Sequence, residues 1–322
     1  MTPAPTPAAA GKPSFMPRLG LAAVILGTLF FAIAPLLVPT YQISILTEVL
    51  IYAVLAMSVD ILAGYTGRTP LCLGAVFGVS TYVTVYWTST MGGSPYTGMM
   101  LGILAATLVA AIFAILAIRT TGVYFLLLTL ALGMIIWGIC LRWTSVTGGE
   151  NGLRGAVRPA ELAAHMPFYY VVFVAVAIIT FIMWRFVRSP FGLTLRGIRD
   201  SDSRMRSLGY NVSLHMFIAF TVAGVFAGVA GALYAMFNDF VSPSTVALTQ
   251  SVEGLLMAIT GGVGTLFGSF IGALAIIGLE NAVSIYTERW QTVLGLVFIF
   301  IMIFAPDGIL GGIKTLLARK RG

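Results

Sequence analysis

The residues of this sequence that could do chemistry are few, and three of them are carboxylates set in apolar surroundings. Asp60, Glu253 and Glu280 each lie in or at the end of a long uncharged stretch. A carboxylate is costly to bury in lipid, and where one occurs it usually marks a function such as an ion or solute path. The structural alternative is that each carboxylate lies near the end of a span or pairs with hydroxyl and backbone groups at a subunit interface.

Motifs for enzymatic, metal or nucleotide chemistry do not occur in the sequence. His165 and His215 are fifty residues apart, and neither HExxH nor CxxC spacing is present, so we predict no metal site. Gly-x-Ser-x-Gly and Gly-x-Gly-Asp are also absent, and no catalytic residue is predicted. None of the three lysines lies in a Walker A loop, so the chain is expected to bind no ATP and to take its energy from a partner or an ion gradient.

The elements that position these residues must be membrane helices. Of the 322 residues, 59% are hydrophobic and only 9% are charged, whereas a soluble domain has about 25% charged residues. Mean hydropathy is +0.99. Cys72 and Cys140 lie in apolar runs and predict no disulfide framework. The net charge of +7 comes from basic residues that flank apolar stretches, which is the pattern of a membrane protein rather than of a nucleic-acid-binding one.

Apolar stretches of about twenty residues predict an all-α, polytopic transmembrane bundle. Residues 1–18 are expected to form a disordered cytoplasmic tail, 19–306 the transmembrane domain, and 307–322 a basic cytoplasmic tail. We predict about ten spans, within a range of eight to ten, and glycines interrupt the eighth and ninth. The spans are residues 19–38, 43–62, two within 69–118, 120–141, 168–184, 216–237, 246–263, 267–285 and 290–305.

The distribution of basic residues predicts the orientation. With ten spans and the N-terminus inside, 14 of the 18 basic residues fall on the cytoplasmic side and 4 on the other. The opposite orientation would invert this ratio, so the positive-inside rule favours both termini in the cytoplasm.

Between the sixth and seventh predicted spans lies a charged stretch, the 188–213 segment. Leu195, Ile198 and Met205 recur among arginines and aspartates, which predicts a short amphipathic helix after the break at Pro190. One interpretation is a basic helix lying on anionic lipid. The other is a docking helix for a cytoplasmic partner, which the mixture of both charge signs favours.

Glycines supply two further patterns. Small residues four apart allow helix backbones to approach closely in lipid, and they predict helix packing at Gly224, Gly228, Gly231, Gly268 and Gly272. Other glycines interrupt apolar stretches, where a broken helix can present free backbone groups to a polar solute. These residues are candidates for a translocation path: Gly64, Gly67, Gly261, Gly262 and Gly264.

Together these segments resemble a known family. The resemblance runs in order from about residue 45 to residue 305 and includes Gly64-Tyr-Thr-Gly67, Thr147-Gly-Gly-Glu-Asn-Gly-Leu-Arg-Gly155, Arg188-Ser-Pro-Phe-Gly192, Leu195-Arg-Gly-Ile-Arg-Asp200, Leu208-Gly209, Ser242-Pro243 and Gly261-Gly262. On these residues the sequence is similar to the permease family of bacterial branched-chain amino acid ABC importers, and more closely to its LivM-type branch.

The resemblance implies a bacterial inner-membrane subunit that works with several partners. They are a homologous LivH-type permease, two cytoplasmic ATPase subunits that bind ATP and Mg²⁺, and a periplasmic solute-binding protein. It also implies that the 188–213 segment couples this chain to the ATPase. The residues of this implied coupling helix are Ser189, Pro190, Leu195, Arg196, Ile198, Arg199, Asp200, Met205 and Gly209.

One departure from the family affects the expected substrate. Members usually read Gly-Gln-x-Ser-Leu-Gly-His after the second span, whereas this chain has Gly67-Arg-Thr-Pro-Leu-Cys-Leu73. A branched-chain amino acid is therefore expected alongside related small amides, carboxylates and urea-like compounds. The alternative function is an ion-coupled secondary transporter or channel, for which the intramembrane carboxylates would be the active groups.

Overall fold

The computed structural model describes residues 16–155, 158–286, 290–304 and 308–309. Most of these residues are helical, because a helix pairs its backbone amides within its own segment where lipid offers no partner. The longer helices are α1 (Met16–Leu37), α2 (Thr40–Ala63), α3 (Leu73–Ser89), α4 (Pro95–Ala117), α5 (Val123–Arg142), α7 (His165–Val187), α10 (Val212–Asn238), α11 (Leu248–Gly261), α12 (Gly268–Ser284) and α13 (Trp290–Phe304). The short ones are α6 (Thr144–Thr147), α8 (Pro190–Asp200) and α9 (Asp202–Ser207).

The ten longer helices fall on the ten predicted spans. Five of them, α2, α4, α5, α7 and α10, are long and apolar enough to cross a membrane, so the chain is an all-α membrane protein. Helix α11 has only 14 residues, about 21 Å at 1.5 Å per residue, which is shorter than a hydrocarbon core of about 30 Å. Helix α1 begins three residues before the predicted span, at Met16. Residues 1–15 of the predicted N-terminal tail and 310–322 of the C-terminal tail lie outside the described residues.

Helix α2 is the centre of the bundle. It is apolar on all sides, which is typical of a helix buried all round, and residues 49–62 of it are all buried. Helices α3, α7, α10, α11 and α12 pack against it.

Small residues bring α3, α4 and α10 close together. A Cβ on Gly228 would lie 2.7 Å from the Cβ of Ala106 on α4. The Oγ of Ser80 donates a hydrogen bond to the Gly228 carbonyl at 2.6 Å, and the Thr81 hydroxyl donates to the Gly231 carbonyl at 3.0 Å. The remaining glycines predicted to pack helices lie at similarly close backbone or side-chain contacts: Gly224, Gly268 and Gly272.

The connections between helices gather in two groups at opposite ends of the bundle. One group holds the first glycine turn (residues 64–72), the α4–α5 connection and the 188–213 segment, which hydrogen bonds join to one another. The second glycine turn (residues 262–267) lies in the same group and is bonded to Asp60 at the end of α2. At the other end the α5–α7 and α10–α11 connections pair as two short strands, β1 (Leu153–Arg154) and β2 (Phe240–Val241). The chain therefore crosses between the two ends at successive long helices.

Candidate functional site

The 188–213 segment forms two short helices, α8 and α9, instead of the single helix that was predicted. Ser189 and Ser201 cap them, since each side chain accepts a hydrogen bond from the backbone N–H three residues on, at 3.3 Å. Pro190 occupies the first turn of α8, where its missing N–H has no partner to lose. Gly209 ends the segment with φ of +87°, a left-handed conformation that glycine adopts readily.

The apolar side of this segment faces the bundle. Leu195, Ile198 and Met205 are 0%, 3% and 9% exposed and belong to the main core of the chain. The prediction that these three side chains form the docking face for a partner is therefore wrong. The physical reason is that an amphipathic helix folded back onto an apolar bundle buries its apolar face there.

A different set of side chains is available on the outside of the segment. Leu193 is 61% and Leu208 is 66% exposed, and Tyr210 is also exposed. Arg196 and Asp200 are also exposed, and they lie three and seven residues after Leu193, on the same side of α8. These five residues are called the outward face below.

Two arginines of α8 contact the first glycine turn. The Arg199 Nη1 donates to the Gly64 carbonyl at 2.5 Å. Gly67, with φ of +71°, packs on the same side chain, and a Cβ there would lie 3.0 Å from the Arg199 Cγ. The Arg196 guanidinium lies 5.0 Å from the Tyr65 ring centroid, within the range of a cation–π contact.

Arg68, in the first glycine turn, contacts the 188–213 segment. Its side chain is 7% exposed, and Nη2 donates to Asp202 Oδ2 at 2.9 Å. Nη1 donates to the Thr120 carbonyl of the α4–α5 connection, also at 2.9 Å. Burial lowers the pKa of the Arg68 guanidinium and Asp202 raises it, and arginine stays charged because its usual pKa is above 12. The sequence associated Arg68 with the substrate, but the structure places it between the bundle and the 188–213 segment.

The second glycine turn is attached to the first. The Gly264 N–H donates to Asp60 Oδ1 at 2.6 Å, and Asp60 is fully buried. A Cβ on Gly64 would lie 2.5 Å from the Gly264 nitrogen, so the two backbones are in direct contact. Gly261 and Gly262 are buried, and Gly261 packs on the Gly268 carbonyl. The Gly64 carbonyl and the Gly264 N–H are thus paired within the chain. The role of the five glycines in a translocation path stays a prediction.

Three carboxylates gather on another part of the bundle. Glu48 on α2, Glu253 on α11 and Glu280 on α12 are half-buried and close enough to interact electrostatically. Beside them the Gln250 Nε2 donates to the buried Tyr52 hydroxyl at 2.5 Å. Sequence reasoning grouped Glu253 and Glu280 with Asp60, which lies elsewhere, and missed Glu48. No signal in a single sequence pairs positions more than two hundred residues apart.

At the opposite end of the bundle, Arg158 caps α10. Its Nε donates to the Met236 carbonyl at 2.5 Å, and a second guanidinium nitrogen donates to the Phe237 carbonyl. These are terminal carbonyls of the helix, which a cation stabilises. The nearby Glu150 and Glu161 are exposed.

The fold and these contacts define a class of protein before any comparison. It is a helical membrane protein with several apolar helices. At one end of its bundle lies a charged amphipathic segment that packs on the bundle and is tied to its glycine turns. Within the described ranges, no three histidine, cysteine, aspartate or glutamate side chains are grouped to hold a metal ion.

The chain belongs to the family described as branched-chain amino acid transport system / permease component, whose model matches residues 41–305. It is 24% identical to the high-affinity branched-chain amino acid transport system permease protein LivM of Salmonella typhimurium, over 92% of this chain and 77% of the relative. LivM of Escherichia coli K12 gives the same identity and coverage. The autoinducer 2 import system permease protein LsrC of Klebsiella pneumoniae is 26% identical over 57% of this chain and 54% of the relative. No solved structure matches the chain.

Proposed function

We propose that this chain is the membrane-spanning permease subunit of a bacterial ABC importer, moving a small polar solute into the cytoplasm while separate subunits hydrolyse ATP. The observation that carries the proposal is the 188–213 segment, which is fixed to the bundle by its apolar side and presents its outward face to the surroundings. Membership of the permease family supports this role.

The outward face fits a protein groove better than a lipid surface. Leu193 and Leu208 are largely exposed. By contrast Leu195, two residues after Leu193, is fully buried. Asp200 lies exposed on the same face, and an acidic side chain is repelled by anionic lipid. Exposed leucines within a rim of both charge signs suit a protein partner, in which the charges set register and partner choice.

We propose the orientation with both termini in the cytoplasm on the distribution of basic residues, and the contacts between connections agree with the grouping that it requires. The connections that the sequence assigns to the cytoplasm meet at one end of the bundle, around Arg68, Arg199 and Gly264. The basic residues divide 14 to 4 in favour of the same side. In this orientation Glu150 and Glu161 face the periplasm, where a solute-binding protein would dock.

The three half-buried carboxylates are the basis for proposing a position for the second permease. Glu48, Glu253 and Glu280 are on membrane helices, and charged groups there face the protein interior or a water-filled cavity because lipid contact is costly. We therefore place a LivH-type partner on the face formed by α2, α11 and α12, with the solute path between the two subunits. LivH of Escherichia coli is 28% identical over 44% of the present chain, as expected of homologous subunits.

The solute is proposed to be a branched-chain amino acid or a related small amide, carboxylate or urea-like compound, in keeping with the names of the LivM relatives. The residues that depart from the family pattern do not oppose this. Arg68, Pro70, Cys72 and Leu73 are all buried in the chain itself. Screening small solutes against the cognate binding protein identifies the substrate.

The docking surface is tested by substitution on the outward face. In a complex purified with its ATPase, Leu193→Asp should release the ATPase while the two permeases stay together, because it places a carboxylate in an apolar contact. Met91→Asp is the matched control, since Met91 is 58% exposed in a connection at the opposite end of the bundle. Full ATPase retention and normal transport in Leu193→Asp would refute the docking assignment.

The alternative is an ion-coupled secondary transporter or channel, which the three carboxylates favour. Liposomes containing the chain without any ATPase separate the two functions. Solute uptake driven by an ion gradient alone would support the alternative, whereas uptake that requires ATPase and ATP supports the ABC permease.

A further inference from the structure

The 188–213 segment is joined to the first glycine turn by two ties that run in opposite directions. From the segment, Arg199 on α8 donates to the Gly64 carbonyl at 2.5 Å. From the turn, Arg68 donates to Asp202 at the start of α9 at 2.9 Å. Each of the two helices of the segment is thus fixed to the same turn by an arginine side chain.

The Arg68 tie differs from an ordinary surface ion pair. Exposed pairs contribute little to stability because solvent screens them, whereas the Arg68 side chain is 7% exposed. Its two terminal nitrogens hold two different connections, with Asp202 on one side and the Thr120 carbonyl on the other. Removing Asp202 leaves a buried cation without its carboxylate, which is strongly unfavourable.

The backbone of the second glycine turn is held beside the first glycine turn. Asp60, at the end of α2, accepts from the Gly264 N–H at 2.6 Å. A Cβ on Gly264 would also lie 3.7 Å from the Arg199 Nη1, so this guanidinium lies beside both turns. Gly67 and Gly264 have φ of +71° and +79°, and such glycine positions outside helices are where a backbone can change direction.

We propose that Arg68 and Arg199 are positioning residues that make the 188–213 segment and both glycine turns move as one body, so that a displacement of the segment by the ATPase directly moves the ends of α2, α3, α11 and α12. This inference rests on the proposed function, because it assumes that an ATPase acts on the segment. It assigns Arg68, a departure from the family pattern, to energy coupling instead of substrate choice.

The test uses the complete transporter in liposomes, with both permeases, the ATPase subunits and loaded binding protein. Asp202→Asn and Arg199→Gln should each lower the ratio of stimulated to basal ATP hydrolysis by about fivefold or more, the lower end of typical coupling between sites. Basal hydrolysis and ATPase retention should stay unchanged. Arg204→Gln is the control for Arg199→Gln, since it removes the same positive charge from the same segment.

A double substitution distinguishes coupling from a general loss of structure. Arg68→Gln with Asp202→Asn removes the unpaired cation but leaves the tie broken, so the stimulation ratio should stay as low as in Asp202→Asn alone. Unchanged stimulation in both Asp202→Asn and Arg199→Gln would overturn the inference. Recovery of the stimulation ratio in the double substitution would also overturn it, because the loss in Asp202→Asn would then come from the unpaired cation and not from the missing tie. If Asp202→Asn does not assemble, Arg199→Gln decides by the same ratio.

Failure of the proposed function gives a different result from failure of this inference. If the unmodified chain neither retains an ATPase nor shows ATP-dependent uptake, the ABC assignment itself fails. If the unmodified transporter works and the arginine ties can be removed without effect, only the positioning role is refuted.

Discussion

The contact between α3 and α10 should not tolerate a single added methyl group at Gly231. A Cβ there would overlap the Phe77 carbonyl oxygen and lie 2.9 Å from its carbonyl carbon and 3.0 Å from the Ser80 Cβ. The obstructing atoms belong mainly to the backbone of α3, which cannot rotate away as a side chain can. Gly231→Ala must therefore displace one helix relative to the other.

The size of the effect follows from three contributions. Overpacking of this kind costs about 1–3 kcal/mol. Displacing α3 also weakens the hydrogen bonds that Ser80 and Thr81 donate to carbonyls of α10, each worth about 0.6 kcal/mol in a membrane protein. Alanine returns about 1 kcal/mol through its higher helix propensity. The net loss of stability for Gly231→Ala is about 1–3 kcal/mol.

Thermal unfolding of the detergent-solubilised chain measures this loss. Gly138→Ala is the control, because Gly138 lies in α5 and a Cβ there would meet nothing within 4 Å. We expect Gly231→Ala to melt several degrees below the unmodified chain and Gly138→Ala to melt at the same temperature or slightly above it. Equal melting temperatures for the two variants would refute the close contact between α3 and α10.

Three further outcomes are expected. Glu161→Cys should react with an impermeant thiol reagent in intact spheroplasts, and Ser203→Cys should react only after lysis. The reverse pattern would contradict the orientation. The native cysteines are buried and should not interfere. Asp60→Ala should destabilise the chain by about 1–3 kcal/mol, because the Gly264 N–H loses its acceptor, whereas Asp60→Asn keeps an acceptor and should cost less; equal melting points would argue against this bond. Arg158→Ala should speed hydrogen exchange in residues 148–155 more than Arg154→Ala does. Arg158 holds terminal carbonyls of α10, and the strand that follows α10 pairs with residues 153–154. Arg154 makes a ring contact with Phe240.

Helix positions could be predicted from the sequence because lipid imposes a length. In lipid a stretch of apolar residues pairs its backbone amides as a helix, so the ten longer helices lie on the predicted spans. The positions of the packing glycines follow from a local spacing for the same reason, since residues four apart share one helix face. Which helix each glycine meets, such as Ala106 opposite Gly228, depends on the three-dimensional packing and has no local signal.

The direction of the amphipathic segment could not be predicted, because amphipathicity defines two faces without saying what covers either one. Leu195 and Leu193 have the same side chain and are two residues apart, yet one is fully buried and the other is 61% exposed. In water the apolar face must find a partner, and the nearest apolar surface was the bundle itself. A substitution at Ile198 would therefore disturb the packing of the permease itself and would not report on docking.

The departure at Arg68 shows how a change in a family pattern can be assigned to the wrong property. An arginine that replaces a glutamine near a membrane span suggests altered solute chemistry, because a charge at a solute path would change what the path accepts. The guanidinium of Arg68 instead donates hydrogen bonds to Asp202 and to the Thr120 carbonyl. Its neighbours Pro70, Cys72 and Leu73 are also buried. A solute on the face of α2, α11 and α12 would meet Glu48, Glu253 and Glu280 instead. Substrate specificity in this chain should therefore respond to changes at those carboxylates, and changes at Arg68 should alter how ATP hydrolysis depends on loaded binding protein.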